Sequence, residues 1–194
     1  MRAAVEALLA TGVAVHDGFL DARALRALRT CAERRMRGGE FRPASIGAGG
    51  DRLRHAEIRG DSICWLAEPR YAAERDLLRE LEQLRLGLNL EAGLGVFELE
   101  LQYAWYPPGA GYARHVDQPH GRTARRVSLA IYLNARWDPR AGGELRLYDA
   151  AGACLDVEPK GGRLVWFLTP GREHEVRPAR CGRWSLSGWF CSRP

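Results

Sequence analysis

Two short segments of this sequence carry side chains that could bind one metal ion. The first is His115-Val116-Asp117. On a β-strand, residues two apart project to the same face, so the His115 imidazole and the Asp117 carboxylate could share an ion while Val116 faces the opposite layer. His174, which follows an apolar segment over residues 163–168, offers a third ligand. Two histidines and one carboxylate on one side of an ion are the facial arrangement of non-haem iron sites, although nitrogen and oxygen ligands also suit manganese or zinc.

An arginine downstream of the third ligand could bind an anion. Arg183 follows His174 by nine residues and begins a segment of aromatic and small residues over 184–190. Burying an arginine is costly unless an anion meets it, and its planar guanidinium matches a carboxylate. Tyr132, in a second apolar segment, could donate its hydroxyl to the same anion. The alternative is an exposed arginine on an edge strand.

Composition restricts the class of protein. The chain has 194 residues, 46% of them hydrophobic and 27% charged, which is typical of one globular domain and excludes collagen-like, disordered and membrane-spanning classes. Of the 29 basic residues only Lys160 is lysine, and the net charge is +5. The arginines are dispersed, which favours a coding bias over the clustered basic face of a nucleic-acid-binding protein. Five cysteines without a CxxC pair, and no export signal or membrane anchor, predict a cytoplasmic protein with reduced thiols.

The elements that must position these residues change character near Gly95. Before it, leucine and alanine at helical spacing predict helices over residues 2–10, 21–36 and 69–88, with a strand over 12–19 and a flexible glycine-rich loop over 37–51. After it, apolar and polar residues alternate, which predicts strands over 97–105, 127–133, 144–148, 163–168 and 184–190. We therefore expect a single α+β domain, residues 1–194. Its core is a double-stranded β-helix (jelly roll, cupin-like) over about 96–194, with N-terminal helices over about 1–95 packed on one sheet.

From about Ile58 to Phe190 the sequence resembles the 2-oxoglutarate- and Fe(II)-dependent prolyl hydroxylases of the hypoxia-inducible-factor type and their bacterial relatives. The matching strings are Glu57-Ile58-Arg59-Gly60-Asp61 with Trp65; Tyr106-Pro107; Gly111-Tyr112-Ala113-Arg114-His115-Val116-Asp117; Tyr132-Leu133-Asn134 with Trp137-Asp138; Gly142-Gly143-Glu144-Leu145-Arg146; Glu158-Pro159-Lys160; and His174-Glu175-Val176 followed by Arg183 and Trp189.

The resemblance implies a cofactor, a cosubstrate and their ligands. His115, Asp117 and His174 would hold Fe(II), which 2-oxoglutarate chelates through its keto-acid end, with ascorbate as an accessory reductant. Arg183 would pair with the distal carboxylate of 2-oxoglutarate. The other cosubstrate-binding positions that the resemblance implies are Tyr132, Tyr106, Leu145 and Ser187, the last of which stands where the family usually shows threonine.

The resemblance also implies a substrate side. Tyr112, Arg125 and Trp189 match positions that line the peptide groove, and Asp61 is predicted to pair with Arg125 when the glycine-rich loop closes. The expected activity is 4-hydroxylation of a proline in a protein loop, with release of succinate and CO2. Elongation factor Tu, which bacterial relatives modify, is the first substrate to test.

Two alternatives and one question stay open. The same site could hydroxylate another side chain or a free amino acid. In a different class, the chain could be an arginine-rich nucleic-acid-binding protein without catalysis; the family reading instead expects neither a nucleic-acid nor a membrane partner. The oligomeric state is not indicated by the sequence.

Overall fold

The structure is a computed structural model that describes residues 2–45, 57–117 and 124–193. The α-helices of this part are α1 (Arg2–Thr11), α2 (Ala22–Arg37) and α3 (Ala72–Ala92), and a short 3-10 helix spans Pro139–Ala141. Its strands are β1 (Val13–His16), β2 (Arg42–Pro43), β3 (Ser62–Trp65), β4 (Val96–Tyr106), β5 (Tyr112–His115), β6 (Arg125–Tyr132), β7 (Leu145–Tyr148), β8 (Cys154–Val157), β9 (Leu164–Leu168), β10 (His174–Val176) and β11 (Arg183–Ser192).

The strands form two antiparallel sheets. The larger sheet has seven strands in the order β1-β9-β6-β11-β4-β3-β2, and the smaller has four in the order β5-β10-β7-β8. One buried cluster contains residues from both sheets, among them Tyr132 of β6 and Leu145 of β7, so the sheets face each other across a shared interior. This is the predicted α+β jelly roll.

The three helices cover the other face of the larger sheet. Leucines of α2 and α3, including Leu28 and Leu81, are fully buried in a cluster with Trp184 and Leu186 of β11. Residues alternate along β11, so Arg183 and Ser185 point the other way, into the space between the sheets. One face of β11 therefore packs on the helices, and the other places polar side chains between the sheets, where they could bind a ligand.

The helix predictions are confirmed, and α2 begins where its cap predicts. Asp21 precedes the helix, and its carboxylate accepts a hydrogen bond from the Ala24 amide at 2.7 Å. A short polar side chain there satisfies an amide that has no partner within the helix. In the described ranges, none of the helices is both long and apolar enough to cross a bilayer.

The boundary predicted near residue 95 does not separate helices from sheet. Strands β1, β2 and β3 all precede it and belong to the larger sheet. No strand is predicted from the sequence at β8, whose first three residues are exposed and show no alternation of apolar and polar side chains. Of the predicted glycine-rich loop, Arg42–Pro43 forms β2, and residues 46–51 lie outside the described ranges.

Candidate active site

The three predicted metal ligands meet where two neighbouring strands end. His115 closes β5 and His174 opens β10, and the two are direct partners across the antiparallel pair. Asp117 lies two residues beyond β5, so the expectation that it shares a strand with His115 is wrong: the chain bends at Asp117 and the carboxylate turns back. Its Oδ1 is 3.4 Å from His115 Nε2 and its Oδ2 is 3.4 Å from His174 Nε2. All three ligand atoms lie within 4.8 Å of one another.

Backbone carbonyls orient both imidazoles. The Nδ1 atom of His115 is 2.8 Å from the carbonyl oxygen of Ala113, and Nδ1 of His174 is 3.2 Å from that of Arg172. A carbonyl oxygen only accepts hydrogen bonds, so Nδ1 is the donor on each ring, and Nε2 of each ring faces Asp117. With both Nδ1 atoms turned to the backbone, the two Nε2 atoms and the carboxylate are placed to share one cation, as in histidine-carboxylate sites that bind divalent metals.

Burial and the short distances between the three groups shift the pKa of each one. Burial lowers the pKa of His115 below its ordinary value, despite the neighbouring Asp117 carboxylate. Burial also opposes the charged form of His174, but the charge of Asp117 outweighs it and raises the His174 pKa. For Asp117 burial favours the neutral form, yet the two imidazoles hold its pKa well below the usual range. The carboxylate is therefore the fixed negative charge of the site.

A buried arginine, Arg183, lies against Tyr132 of the interior cluster that also contains Phe167, the residue packed on His174. Arg183 is 2% exposed; its Nε donates to the Gly143 carbonyl at 3.0 Å, and one Nη lies 3.4 Å from Ser185 Oγ. Within the described ranges no carboxylate lies at ion-pair distance from this guanidinium. The Tyr132 ring lies 5.1 Å from the guanidinium carbon, and its buried hydroxyl has no hydrogen-bond partner in the described part of the chain. An unmatched buried cation beside an unmatched hydroxyl fits an anionic group such as the distal carboxylate of 2-oxoglutarate.

The other predicted cosubstrate positions lie around the same space. Tyr106 ends β4, is paired directly with Arg183 of β11, and has its ring 5.2 Å from the guanidinium. Leu145 of β7 is buried opposite, in the interior cluster. Ser187 is half-buried and shares a face of β11 with Arg183. All of these side chains occupy the interior between the sheets, and their roles toward 2-oxoglutarate stay predictions.

On the predicted substrate side, Tyr112 packs directly on a metal ligand. Its ring stacks on that of His115 with centroids 3.5 Å apart and planes 13° from parallel. The Arg59 guanidinium covers the Tyr112 ring at 4.7 Å and binds the buried Asp61 carboxylate, with Nε to Oδ1 at 2.8 Å. Segment 57–61 is thereby joined to the metal site through an arginine and an aromatic ring.

The predicted ion pair between Asp61 and Arg125 is not formed in this structure. Asp61 is bound by Arg59, while Arg125 pairs with Glu100 of β4 at 2.6 Å. Arg125 also donates to the Asp117 carbonyl at 3.0 Å and lies 3.6 Å over the Trp189 ring. A nearer carboxylate satisfies each arginine, which is the physical reason for the difference. The pairing expected on loop closure stays a prediction, since residues 46–56 of that loop lie outside the described ranges.

Sequence reasoning missed the residues that surround the ligands. Ser128 of β6 donates to Asp117 Oδ2 at 2.8 Å and lies 2.9 Å from the Thr169 hydroxyl. Phe167 of β9 packs edge-on against the His174 ring at 4.9 Å. A serine at an inward position of an otherwise apolar strand was a usable signal for the first contact. The Thr169 and Phe167 contacts depend on strand register, which composition does not reveal.

Comparison with known proteins agrees with this site. Residues 101–191 match the 2OG-Fe(II) oxygenase superfamily. A crystal structure of a Pseudomonas putida prolyl-4-hydroxylase superposes with a TM-score of 0.90 and 39% sequence identity, covering 100% of this chain and 99% of that one. The chain belongs to the 2OG-Fe(II) oxygenase superfamily, whose members use Fe(II) and 2-oxoglutarate.

Two animal relatives support the resemblance to the hypoxia-inducible-factor type. Human Egl nine homolog 1 is 36% identical over 144 residues, which are 69% of this chain and 33% of that protein, so the chain spans about a third of its length. A Trichoplax adhaerens prolyl hydroxylase, solved in complex with a peptide of the hypoxia-inducible factor oxygen degradation domain, has a TM-score of 0.86 at 26% identity. It covers 97% of this chain and 87% of that one. The predicted resemblance is confirmed.

Proposed function

We propose that this protein is a cytoplasmic protein prolyl hydroxylase that uses Fe(II), O2 and 2-oxoglutarate to 4-hydroxylate a prolyl residue in a protein loop. The observation that carries the proposal is the buried Arg183 and Tyr132 pair, which lacks an anionic partner in the described ranges, together with the His115, Asp117 and His174 triad in the same domain. The match over the whole chain to a prolyl-4-hydroxylase supports the choice of proline.

Separate sets of residues are assigned to iron and to the cosubstrate. His115, Asp117 and His174 would hold Fe(II), and Arg183 with Tyr132 would bind the distal carboxylate of 2-oxoglutarate. When bound, Fe(II) and 2-oxoglutarate would supply oxygen activation: O2 and 2-oxoglutarate would give succinate and CO2, with the second oxygen atom inserted into a C–H bond to form C–OH. The interior cluster around Val165 and Phe167 excludes water from this space.

Aromatic side chains provide a surface for the target proline. Trp65 is 49% exposed and offers the open face, and its ring centroid lies 6.3 Å from that of Trp189, which is buried beneath Arg125. Flat aromatic faces with adjacent polar groups favour an apolar ring such as proline, and Arg125 and Glu100 at the rim can bind the flanking peptide backbone. The arrangement favours a residue within a polypeptide over a free amino acid, which would leave these rim groups unused.

The dispersed arginines support this class over nucleic-acid binding. Several are engaged by nearby carboxylates, such as Arg146 by Asp156 at 2.7 Å and Arg163 by Asp17 at 2.5 Å. Paired charges of this kind leave less positive surface for phosphates. A steep salt-dependent electrophoretic shift with nucleic acid, without iron-dependent turnover, would reverse this choice.

The proposal is tested with purified protein, Fe(II), 2-oxoglutarate, ascorbate and elongation factor Tu, which we propose as the first candidate substrate. Mass spectrometry should detect the gain of one oxygen on a single proline, with matching formation of succinate. Omission of 2-oxoglutarate is the control. Turnover of 2-oxoglutarate without a hydroxylated proline would keep the oxygenase and reject this substrate, while hydroxylation of a free amino acid or another side chain would select the alternative.

The cosubstrate assignment predicts the effect of Arg183→Gln. Hydrogen bonds to a charged group contribute enough that their loss should raise the KM for 2-oxoglutarate about tenfold to hundredfold, because the distal carboxylate then lacks a cation. Steady-state succinate formation measures the change, and Arg180→Gln, at an exposed position before the same strand, is the matched control. An unchanged KM in the folded Arg183 variant would place the carboxylate elsewhere.

A further inference from the structure

Two buried hydroxyl groups lie in line behind the Asp117 carboxylate. Ser128 of β6 is 2% exposed and donates to Asp117 Oδ2 at 2.8 Å. Thr169, the residue after β9, is fully buried, and its hydroxyl is 2.9 Å from Ser128 Oγ. Buried polar groups in native proteins almost always have a hydrogen-bond partner, and here the two hydroxyls and the Asp117 carboxylate are one another's partners.

The chemistry of the three groups fixes the direction of both bonds. An ionised carboxylate only accepts hydrogen bonds, and a serine hydroxyl has one proton, so the Ser128 proton is committed to Asp117. The remaining bond between the hydroxyls must then use the Thr169 proton. The chain of donors runs from Thr169 to Ser128 to Asp117 Oδ2.

Asp117 needs such support because strand pairing does not supply it. The residue lies beyond the end of β5, in a bend that leads into residues 118–123, which are outside the described ranges. Arg125 holds its backbone carbonyl at 3.0 Å, but this contact leaves the side-chain torsions free. The Ser128 hydroxyl acts on the carboxylate itself.

The register of the large sheet places this hydroxyl beneath the ligands. Ser128 lies directly opposite Phe167 of β9 and opposite Trp189 of β11. Phe167 packs on the His174 ring at 4.9 Å, so one cross-strand pair supports two of the three ligands: an apolar contact for the imidazole and a hydrogen bond for the carboxylate.

We propose that Ser128, held by Thr169, is a positioning residue that fixes the rotamer of the Asp117 carboxylate and so preorganises the iron site. The inference rests on the iron site and is independent of which substrate is hydroxylated. Hydrogen-bonded partners of metal ligands typically contribute a tenfold to hundredfold factor in metal affinity.

The test measures metal binding directly, by isothermal titration with Mn(II) as a stand-in that resists oxidation. Ser128→Ala should weaken Mn(II) binding about tenfold to hundredfold. Ser128→Thr keeps the hydroxyl and should bind nearly as the wild type does. Thr169→Val, which keeps the side-chain shape, should lose about twofold to tenfold, the range of one neutral hydrogen bond. Thr30→Val, at an exposed position of α2, is the matched control.

A double variant tests whether Thr169 acts on Asp117 through Ser128. If Thr169 acts through Ser128, adding Thr169→Val to Ser128→Ala should cause no further loss. An equal loss from Thr169→Val in both backgrounds would overturn its assigned role. Wild-type affinity in folded Ser128→Ala would overturn the proposal as a whole.

Folding of the variants is checked by circular dichroism. Ser128→Cys, of similar size and weaker as a donor, replaces the alanine variant if that one does not fold, and the same direction of change is expected. The Co(II) absorption spectrum should also change in these variants because the carboxylate orientation changes. Absence of Mn(II) binding in the wild type would contradict the iron site itself, a result distinct from failure of the Ser128 role.

Discussion

Asp117→Ala is expected to lose more than about a hundredfold in affinity for Fe(II) or Mn(II), because a direct ligand should matter more than the hydrogen-bonded partners that contribute up to that factor. The variant removes the one carboxylate of the triad and leaves His115 and His174 facing each other, with ring centroids 4.2 Å apart. Two neutral imidazoles without a carboxylate hold a divalent cation poorly. Formation of succinate should fall to less than about 1% of the wild-type rate.

Two measurements separate loss of metal from loss of fold. Ligands that bind only the folded state raise the melting temperature, so Mn(II) should stabilise the wild type and leave the melting temperature of the Asp117 variant unchanged. Asp76→Ala removes an exposed carboxylate of α3 and should behave as the wild type in both assays. An Asp117→Ala protein that retains turnover would remove Asp117 from the metal site and with it the proposed mechanism.

The sequence was informative where chemistry depends on residue type and short spacing. Residue type and spacing made His115, Asp117, His174 and Arg183 candidates for binding a metal and an anion, and the resemblance to a known family then assigned their roles. The helices and the long strands of the larger sheet could be predicted from the spacing of apolar residues, which is regular in segments such as β4 and β11.

The sequence did not predict the contacts that depend on how the strands pair. Ser128 and Thr169 are separated by 41 positions and meet because β6 and β9 pair in one register. Arg125 and Glu100 meet across β11, which lies between their strands, and this nearer carboxylate displaced the predicted partner Asp61. The short strand β8 has too few buried residues to show a period.

A buried ionic cluster away from the metal site predicts the largest loss of stability. Glu74 of α3 is fully buried, and both its oxygens accept from Arg35 of α2, at 2.8 and 2.9 Å. The Tyr103 hydroxyl donates to Glu74 Oε1 at 3.1 Å, and the Arg70 amide donates to Oε2 at 2.8 Å. The carboxylate thus joins two helices and the larger sheet.

The pH dependence of this stabilisation follows from the Glu74 pKa. Burial alone would raise that pKa, but the bonds from Arg35 and the backbone lower it below its ordinary value of 4.5. The native state therefore favours the ionised form, and the stabilisation is fully present above pH 4.5 and is lost as pH falls through the lowered value. The wild type and a variant without the charge should accordingly converge in stability in acid.

Glu74→Gln should lower the free energy of unfolding at pH 7 by about 3–5 kcal/mol, because it leaves the Arg35 charge buried without its main partner. For a chain of this length the melting temperature should fall by roughly 6–20 °C, measurable by circular dichroism. Glu33→Gln breaks a half-exposed pair with Arg29 and should cost less than about 1 kcal/mol. Arg35→Met combined with Glu74→Leu removes both charges and should recover only part of the loss, because the Tyr103 hydroxyl and the Arg70 amide then lack their acceptor. Equal melting temperatures for Glu74→Gln and Glu33→Gln would show that the buried pair contributes no more than a surface one.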